Sequence, residues 1–299
     1  MGSICRQEPS RAADEIAPTA LQRTGWYTIN IWDLHVHAIV EPRARRDAAY
    51  SLLKLHEQGI NFVVYIERLI HEHAVRATRQ VPVGDLRAYG PSEEAVATQM
   101  ASFEAVADTL ARPSWLRWFA QAVAGVGVHE REFEQWASEG CSGFKVAIPG
   151  DMTEWPVSYH LCRNALNVAA RRDLPVTIHV EVSRAPWIRD LLDEFTQSRV
   201  SIAHFGYSRK RLADILLRYE NVYTDTANLE GPAKSDVKGY TEFITEFSSQ
   251  VVLGSDAFLG NLSASNRHID FFSETLDEKT WRAISVENTN RFLGNSGIL

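Results

Sequence analysis

Two histidines, His35 and His37, alternate at the end of a short apolar run that begins near Ile29. In an extended strand, side chains two residues apart point to the same face, so both imidazoles would share a face with Asp33. Imidazole nitrogens are good ligands for zinc and related divalent cations. A polar strand end in which two histidines happen to alternate explains the same pattern. The choice therefore depends on whether further ligands occur elsewhere in the chain.

Four more polar residues stand at the ends of later apolar runs that are short enough to be strands. These residues are Lys145, His179, His204 and Asp256. A divalent cation with an open coordination position is typically held by histidine and carboxylate ligands. Histidines from the first and fifth strands and a carboxylate from the eighth would form such a set if one rim collects the strand ends. Because chance rarely places so many such groups at strand ends, the sequence predicts a metal site assembled from distant strands.

The strands that carry these residues alternate with amphipathic helical runs along the chain after residue 28. Alternation of this kind predicts a parallel sheet with right-handed crossover connections. A count of eight strands favours an α/β fold of the closed (β/α)8 TIM-barrel type over an open doubly wound sheet. In that barrel the active site lies at the carboxyl ends of the strands, where the polar residues stand. The predicted strands cover residues 28–37, 60–66, 119–126, 143–148, 175–180, 200–204, 222–225 and 250–256.

The length and composition of the chain fit one large domain. With 299 residues, of which 45% are hydrophobic, the chain can bury the core of a single barrel. Residues 1–25 are polar and carry several charges, so we expect a flexible N-terminal arm there. We predict a single TIM-barrel domain over residues 26–299.

The charge balance of the sequence argues against two classes of partner. A net charge of −7 and a pI near 5.8 are not typical of nucleic-acid or anionic-membrane binding. We expect no membrane association, because no apolar run has the length of a bilayer-spanning helix. The three cysteines are too few and too scattered for a disulfide framework. The expected setting is the cytoplasm, and the expected partner is a small-molecule substrate.

Five segments keep a fixed order along the chain, and that order resembles the motif order of the amidohydrolase superfamily. The closing segment, residues 287–294, is similar to that of the amidohydrolase-related branch, which includes the aminocarboxymuconate-semialdehyde decarboxylase type. The resemblance runs from about Ile29 to Gly294, nearly the whole chain. The five segments are Asp33-Leu34-His35-Val36-His37, Thr177-Ile178-His179, Ala203-His204-Phe205-Gly206, Val222-Tyr223-Thr224-Asp225 and Leu253-Gly254-Ser255-Asp256.

The resemblance implies a TIM barrel and a metal-dependent enzyme with a role for each matching residue. The implied metal ligands are His35, His37, His179 and Asp256. Asp256 would also act in catalysis by accepting the proton of the attacking water, and His204 would contact the substrate or that water. We expect one Zn²⁺, and Mn²⁺ or Fe²⁺ suits the same ligands. A homodimer is one assembly that the resemblance leaves open.

The role of Lys145 stays open at this stage. In binuclear branches of the superfamily, a lysine on the fourth strand is carbamylated and bridges two metals. In the mononuclear related branch, a lysine often occurs nearby without bridging metals. A lysine that reaches out of the barrel mouth or pairs with a carboxylate is the alternative without a metal role. We favour one metal over two.

Three functions are consistent with these residues. The leading hypothesis is a metal-dependent hydrolase that activates water to attack the ester, lactone or amide carbonyl of a small metabolite. The alternative is a metal-dependent, non-oxidative decarboxylase or lyase acting on a small carboxylic acid. A metal-free binding barrel is disfavoured, because none of the expected ligand positions is missing from the sequence.

Four residues in predicted mouth loops are candidates for substrate binding. Glu181 and Arg184 follow the fifth strand, and a surface salt bridge between them is the competing interpretation. Trp155 and Trp187 could line an apolar pocket, although aromatic residues in loops also pack onto a barrel rim. The His-Glu-His run at residues 71–73 is better explained as a solvated segment.

Overall fold

A computed structural model describes residues 31–38, 44–57, 60–67, 101, 103–124, 128–150, 153, 156–258 and 262–294. For residues 31, 32, 34–38, 44–48, 61–63, 65–67, 257, 258 and 262–264 it describes the backbone alone. The predicted arm at residues 1–25, Trp155 and the run 71–73 therefore lie outside the described residues.

Nine parallel strands form one sheet within the described ranges. In chain order they are β1 Ile31–Ala38, β2 Ile60–Glu67, β3 Leu116–Val123, β4 Phe144–Ala147, β5 Val176–His179, β6 Val200–Ile202, β7 Val222–Asp225, β8 Val251–Val252 and β9 Ala257–Phe258. The spatial order is β8-β7-β6-β5-β4-β3-β2-β1-β9.

The two ends of this sheet are adjacent in the chain, which closes the sheet into a (β/α)8 barrel. β8 pairs with β7, and β9 pairs with β1 on the other side. Residues 253–256 are all that separates β8 from β9. The eighth barrel strand is therefore interrupted, and its two halves bridge the first and seventh strands.

Amphipathic helices connect the strands. Pro156–Arg172 is representative: Leu161, Cys162 and Ala165 are buried at helical spacing, and two arginines in its last turn complement the helix dipole. None of the helices in the described ranges combines the length and apolar character needed to cross a bilayer. In addition to a helical stretch at residues 103–109, the helices are α1 Ala44–Glu57, α2 Glu130–Ser138, α3 Pro156–Arg172, α4 Ile188–Glu194, α5 Arg209–Leu216, α6 Glu230–Ser235, α7 Val237–Glu246, α8 Leu262–Thr275, α9 Glu278–Arg282 and α10 Asn288–Leu293.

A small apolar cluster fills the lower part of the barrel interior. Phe292 from α10 contacts Phe119 of β3 and Tyr223 of β7, with ring centroids 6.5 Å and 5.3 Å apart. Val64 and Val252 join the same buried cluster. Because aromatic and branched side chains close this end, the polar interior side chains lie toward the carboxyl ends of the strands.

The observed bounds of β3 and β6 differ from the predicted ones. β3 begins at Leu116, three residues before the predicted start, because Leu116 already pairs with Val63 of β2. β6 ends at Ile202, so the prediction that His204 lies on the strand was wrong. His204 lies in the turn that follows, because Asp225 of the next strand accepts a hydrogen bond from its backbone N–H.

The eighth strand was predicted as one run over residues 250–256 and is observed as two short pieces. The backbone N–H of Ser255 donates to the side-chain carboxylate of Asp33 at 2.9 Å, and not to a backbone carbonyl as in a regular strand pair. Asp256 follows with a φ of 56°, a left-handed conformation that ends a strand. Asp256 therefore lies in the interruption, at the mouth of the barrel.

Candidate active site

One layer of side chains around the barrel interior is largely polar. Strand register places Gln121, Lys145, Thr177, Ser201 and Tyr223 side by side on five successive strands. All five are buried. The residues of the predicted site lie further along the strands, toward their carboxyl ends. The polar layer therefore forms the floor of the predicted site.

Lys145 is the charged member of this layer. Its side chain is fully buried, so it does not extend from the mouth into solvent. Burial lowers the pKa of Lys145 to about 8, and the negative charges of Asp225 and Asp256 oppose that shift. The two carboxylates therefore lie within electrostatic range of the Lys145 amine.

His179, His204 and Tyr207 form a compact cluster at the ends of β5 and β6. The rings of His179 and His204 lie 4.7 Å apart at an angle of 72°. The hydroxyl oxygen of Tyr207 lies 2.6 Å from Nε2 of His179. Burial of its hydroxyl group, helped by Asp256, raises the pKa of Tyr207 to about 12, although 56% of the residue is exposed. Tyr207 therefore keeps its proton near neutral pH, and its hydroxyl group is hydrogen-bonded to Nε2 of His179.

The backbone after β6 makes a left-handed turn that sets the position of these rings. His204, Phe205, Gly206 and Tyr207 have φ values of 55°, 51°, 54° and 57°. Residues other than glycine adopt this conformation at a cost of about 1–2 kcal/mol each. A side chain at position 206 would lie 2.6 Å from a methyl group of Val182, so glycine is needed there. Strain of this kind is concentrated at functional sites in proteins.

Asp225, at the end of β7, holds this turn in place. Its Oδ1 accepts hydrogen bonds from the backbone N–H groups of His204, at 2.9 Å, and Ala227, at 3.2 Å. The carbonyl oxygen of Ala227 lies 2.8 Å from Nδ1 of His204. Because a carbonyl can only accept, Nδ1 carries the proton, and Nε2 is the atom that can face a substrate.

Asp33 joins the start of the barrel to its interrupted eighth strand. Its buried carboxylate accepts hydrogen bonds from the backbone N–H and the hydroxyl of Ser255, at 2.9 and 2.6 Å. The hydroxyl of Ser265 lies 3.5 Å away. These contacts show Asp33 as a supporting hydrogen-bond acceptor. They also fix the position of Ser255, the residue that precedes Asp256.

The backbone brings the predicted ligands of β1 to the same region. His37 is the register partner of Phe258 in β9, and Phe258 is two residues beyond Asp256. The side chains of His35 and His37 lie outside the described residues. Among the described side chains, no three metal-binding residues form a cluster, and that set omits two of the four predicted ligands. Metal ligation by His35, His37, His179 and Asp256 stays a prediction.

Three of the four predicted substrate-contact residues belong to the described part of the chain, and these three make contacts within the protein. Arg184 lies 3.9 Å from Glu181, and both are exposed, which fits the surface salt-bridge interpretation. The indole N–H of Trp187 donates to the carbonyl of Thr153 at 2.8 Å, so this ring packs onto the rim. Their role in substrate binding also stays a prediction.

Sequence reasoning overlooked Tyr207 and gave His268 no partner. Tyr207 stands three residues after His204, and a turn tight enough to bring both rings together has no simple sequence signature. His268 is buried, and its Nε2 lies 3.0 Å from the hydroxyl of Thr226. Burial lowers the pKa of His268 to about 4, so it is a neutral structural histidine near neutral pH.

Comparison with known proteins matches this arrangement to a protein family. A family model described as amidohydrolase matches residues 32–294. Among curated protein sequences, none matches this chain significantly.

Solved structures with a similar fold include enzymes of different activities. Dihydroorotase from Campylobacter jejuni is 15% identical, with a TM-score of 0.52 over 89% of this chain and 85% of that chain. The phosphotriesterase homology protein from Escherichia coli, solved with phosphate in its active site, is 11% identical, with a TM-score of 0.57 over 90% and 100%. The 5-carboxyvanillate decarboxylase from Novosphingobium aromaticivorans, solved with bound manganese, is 12% identical, with a TM-score of 0.55 over 89% and 97%. At such identities the likeness shows the shared TIM-barrel fold.

Proposed function

Because this chain belongs to the amidohydrolase family and is an enzyme of that superfamily, we propose that it is a metal-dependent hydrolase. It would activate water to attack the ester, lactone or amide carbonyl of a small metabolite. The observation that best supports this proposal is the cluster of His179, His204 and Tyr207 within the electrostatic range of Asp256, at the carboxyl ends of the strands. In TIM barrels this end of the sheet contains the active site.

The donor set fits a divalent cation. Nε2 of His179 lies at the rim, 2.6 Å from the hydroxyl oxygen of Tyr207, and a cation bound to this nitrogen would replace the contact between the two groups. Asp256 is half-buried, next to the end of β1, which carries two more histidines. We propose that His35, His37, His179 and Asp256 hold one cation, with zinc as the first candidate and manganese or iron as alternatives. When bound, such a cation polarises a carbonyl oxygen and lowers the pKa of water to about 7.

Two residues of the chain would move protons or stabilise charge in this reaction. Asp256 is the base that accepts the proton of the attacking water. His204, oriented by the carbonyl of Ala227, faces the substrate with Nε2. In its doubly protonated form Nε2 donates a hydrogen bond to the oxyanion that develops on the carbonyl. Asp225 holds His204 in position by accepting a hydrogen bond from its backbone N–H.

Lys145 offers a second metal arrangement. Its amine is buried and is affected by the charges of Asp225 and Asp256, so a carbamylated Lys145 would be a candidate ligand for a second metal. We propose one metal per chain. Two metal ions per chain would instead indicate that Lys145 is a metal ligand.

A non-oxidative decarboxylase is the second candidate, because the similar barrel of a 5-carboxyvanillate decarboxylase shows that this fold supports that chemistry. The two reactions differ in the fate of water. A hydrolase incorporates ¹⁸O from labelled water into the product, whereas a decarboxylase releases carbon dioxide without that incorporation. A screen of small esters, lactones, amides and carboxylic acids with the purified protein separates them.

Variants of the site test the proposal on any substrate that this screen finds. We expect His35→Ala, His179→Ala and Asp256→Asn each to reduce kcat/KM by about a thousandfold or more, because each removes a proposed ligand. His160→Ala and Asp214→Asn are matched controls, since both residues are exposed on helices outside the cluster. Full activity in any of the three site variants would contradict the proposed ligand set.

A further inference from the structure

A pocket of about 360 Å³ opens beside His204, between the turn after β6 and the segment after β7. We call it the rim pocket. This volume is at the lower end of the range for small-molecule sites, about 300–1,000 Å³, so it suits one ring with its substituents. Because His204 lines both this pocket and the proposed active site, a molecule held at His204 extends into the rim pocket. Its other lining residues include Tyr207, Arg209, Leu229, Pro232 and Tyr240.

A layered stack of flat groups forms one wall of the rim pocket. The guanidinium carbon of Arg209 lies 4.0 Å from the centre of the Tyr240 ring. Tyr240 also stacks on Phe205, with centroids 5.9 Å apart and planes at 20°. Phe205 belongs to the same left-handed turn as His204, so the stack is tied directly to the proposed active site.

The position of Arg209 is fixed by contacts on α7 as well as by the stack. Asp236 forms a salt bridge with its guanidinium group and also accepts the backbone N–H of Gly239 at 3.1 Å. A Cβ at position 239 would lie 2.8 Å from Nη1 of Arg209 and 2.5 Å from Asp236. The absence of a side chain at Gly239 thus leaves room for the guanidinium group in this orientation.

The chemistry of this wall selects for a flat group and against a strongly charged one. Asp236 balances the charge of Arg209, while Leu229, Pro232 and Tyr207 contribute apolar surface. A guanidinium plane stacks favourably on aromatic groups and has further N–H donors at its edge. A conjugated ring with an oxygen acceptor gains from both features, whereas a saturated ring gains from neither stacking nor planarity.

We propose that the rim pocket is a specificity subsite for a planar aromatic group that is attached to the reacting carbonyl. Aromatic carbonyl compounds are then the substrate class of the enzyme. This inference rests on the proposed function, because it assumes that the reacting carbonyl lies at His204.

Binding of two non-hydrolysable ketones to the full chain tests this subsite. Acetophenone and cyclohexyl methyl ketone have the same carbonyl group and a ring of the same size, but only the first ring is flat. In a titration followed by NMR, we expect acetophenone to bind about tenfold more tightly. Equal affinities for the two ketones would overturn the proposal.

Two variants test whether the stack of Arg209 and Tyr240 causes the difference in affinity between the two ketones. Arg209→Gln and Tyr240→Leu should each reduce the affinity ratio to about one or two, because each removes half of the stack. Arg218→Gln is the matched control, since Arg218 also lies over a tyrosine ring, that of Tyr219, and pairs with Asp193 elsewhere on the molecule. A ratio that persists in both rim-pocket variants would overturn the proposal, as would a ratio that the control also loses.

The same samples separate a failure of the subsite from a failure of the proposed function. Ketone binding needs no turnover, so the affinity ratio can be measured whether or not the protein hydrolyses a substrate. Metal-dependent hydrolysis without ring discrimination would overturn the rim pocket alone. Ring discrimination that Arg209→Gln abolishes, in a protein that shows no metal-dependent turnover, would support the pocket and contradict the hydrolase.

Discussion

At the residue scale, the buried carboxylate of Asp225 organises the site through the backbone. Its Oδ1 accepts two backbone hydrogen bonds from the strained turn that carries His204 and Tyr207. Its negative charge also raises the pKa of buried Lys145, against the larger effect of burial. Geometry and electrostatics at the site therefore both depend on this side chain.

Substitutions of Asp225 separate these two effects. Asp225→Ala leaves two backbone N–H groups without their acceptor, so we expect a loss of about 2–4 kcal/mol in the free energy of unfolding. Asp225→Asn keeps an acceptor oxygen and removes the charge, so it should retain most of that stability. Urea denaturation of both variants gives the comparison. Equal losses in the two variants would show that charge, and not the hydrogen bonds, holds the turn.

The sequence identified His179, His204 and Asp256 as strand-end polar residues, because alternation and apolar runs are local properties. It did not reveal that His204 lies beyond its strand or that Tyr207 contacts His179. Both follow from four successive positive φ values that a carboxylate on the next strand helps to hold. A conformation that depends on a partner distant in sequence leaves little trace in the local residues.

At the scale of elements, the interrupted eighth strand is the feature that positions Asp256. A continuous strand would have paired residues 253–256 with its neighbours. Instead Ser255 donates its backbone N–H and its hydroxyl to Asp33, more than two hundred residues earlier in the chain. The first strand thus supplies the acceptor that holds the interruption between β8 and β9 in place.

A graded series of substitutions tests this connection. Asp33→Ala should lower the free energy of unfolding by about 2–4 kcal/mol, because it leaves the buried polar groups of Ser255 unpaired. Ser255→Ala removes one donor and should cost about 1 kcal/mol, and Ser265→Ala, with its longer 3.5 Å contact, should cost less. Chemical denaturation measures all three. A cost for Ser265→Ala as large as that for Asp33→Ala would contradict the connection.

At the scale of the whole molecule, the alternation of eight strands with helices was enough to predict the barrel. Strands and helices each show their own spacing of hydrophobic residues along the sequence. Two neighbouring parallel strands also need a crossover connection, which here is a helix. Closure of the barrel was less predictable, because it depends on an eighth strand that splits to pair with β7 and β1. The small apolar cluster at the other end of the barrel, which includes Phe292 of α10, was not predicted.

The buried histidine near that closure makes the whole fold sensitive to acid. His268 has a pKa of about 4 in the folded protein against 6.5 for an ordinary histidine, because burial disfavours its charged form. The unfolded chain therefore binds a proton first, and stability falls as the pH drops from about 6.5 to about 4. The full effect is on the order of 3 kcal/mol, with no further loss from this group below pH 4.

His268→Gln removes the titrating group while keeping a polar side chain for Thr226. We expect the variant to lose less stability than the unmodified protein between pH 6.5 and pH 4. Thermal unfolding followed across this range measures the difference. Parallel stability curves for the two proteins would contradict the assignment of His268 as a neutral buried group.

The central claim is that a divalent metal at the carboxyl ends of the strands is required for activity. Elemental analysis of the purified protein, paired with turnover measured before and after chelation, tests it most directly. We predict about one equivalent of zinc, manganese or iron per chain, loss of turnover when that metal is removed, and recovery when it is restored. Full turnover by a chelated protein that contains no metal would contradict the account.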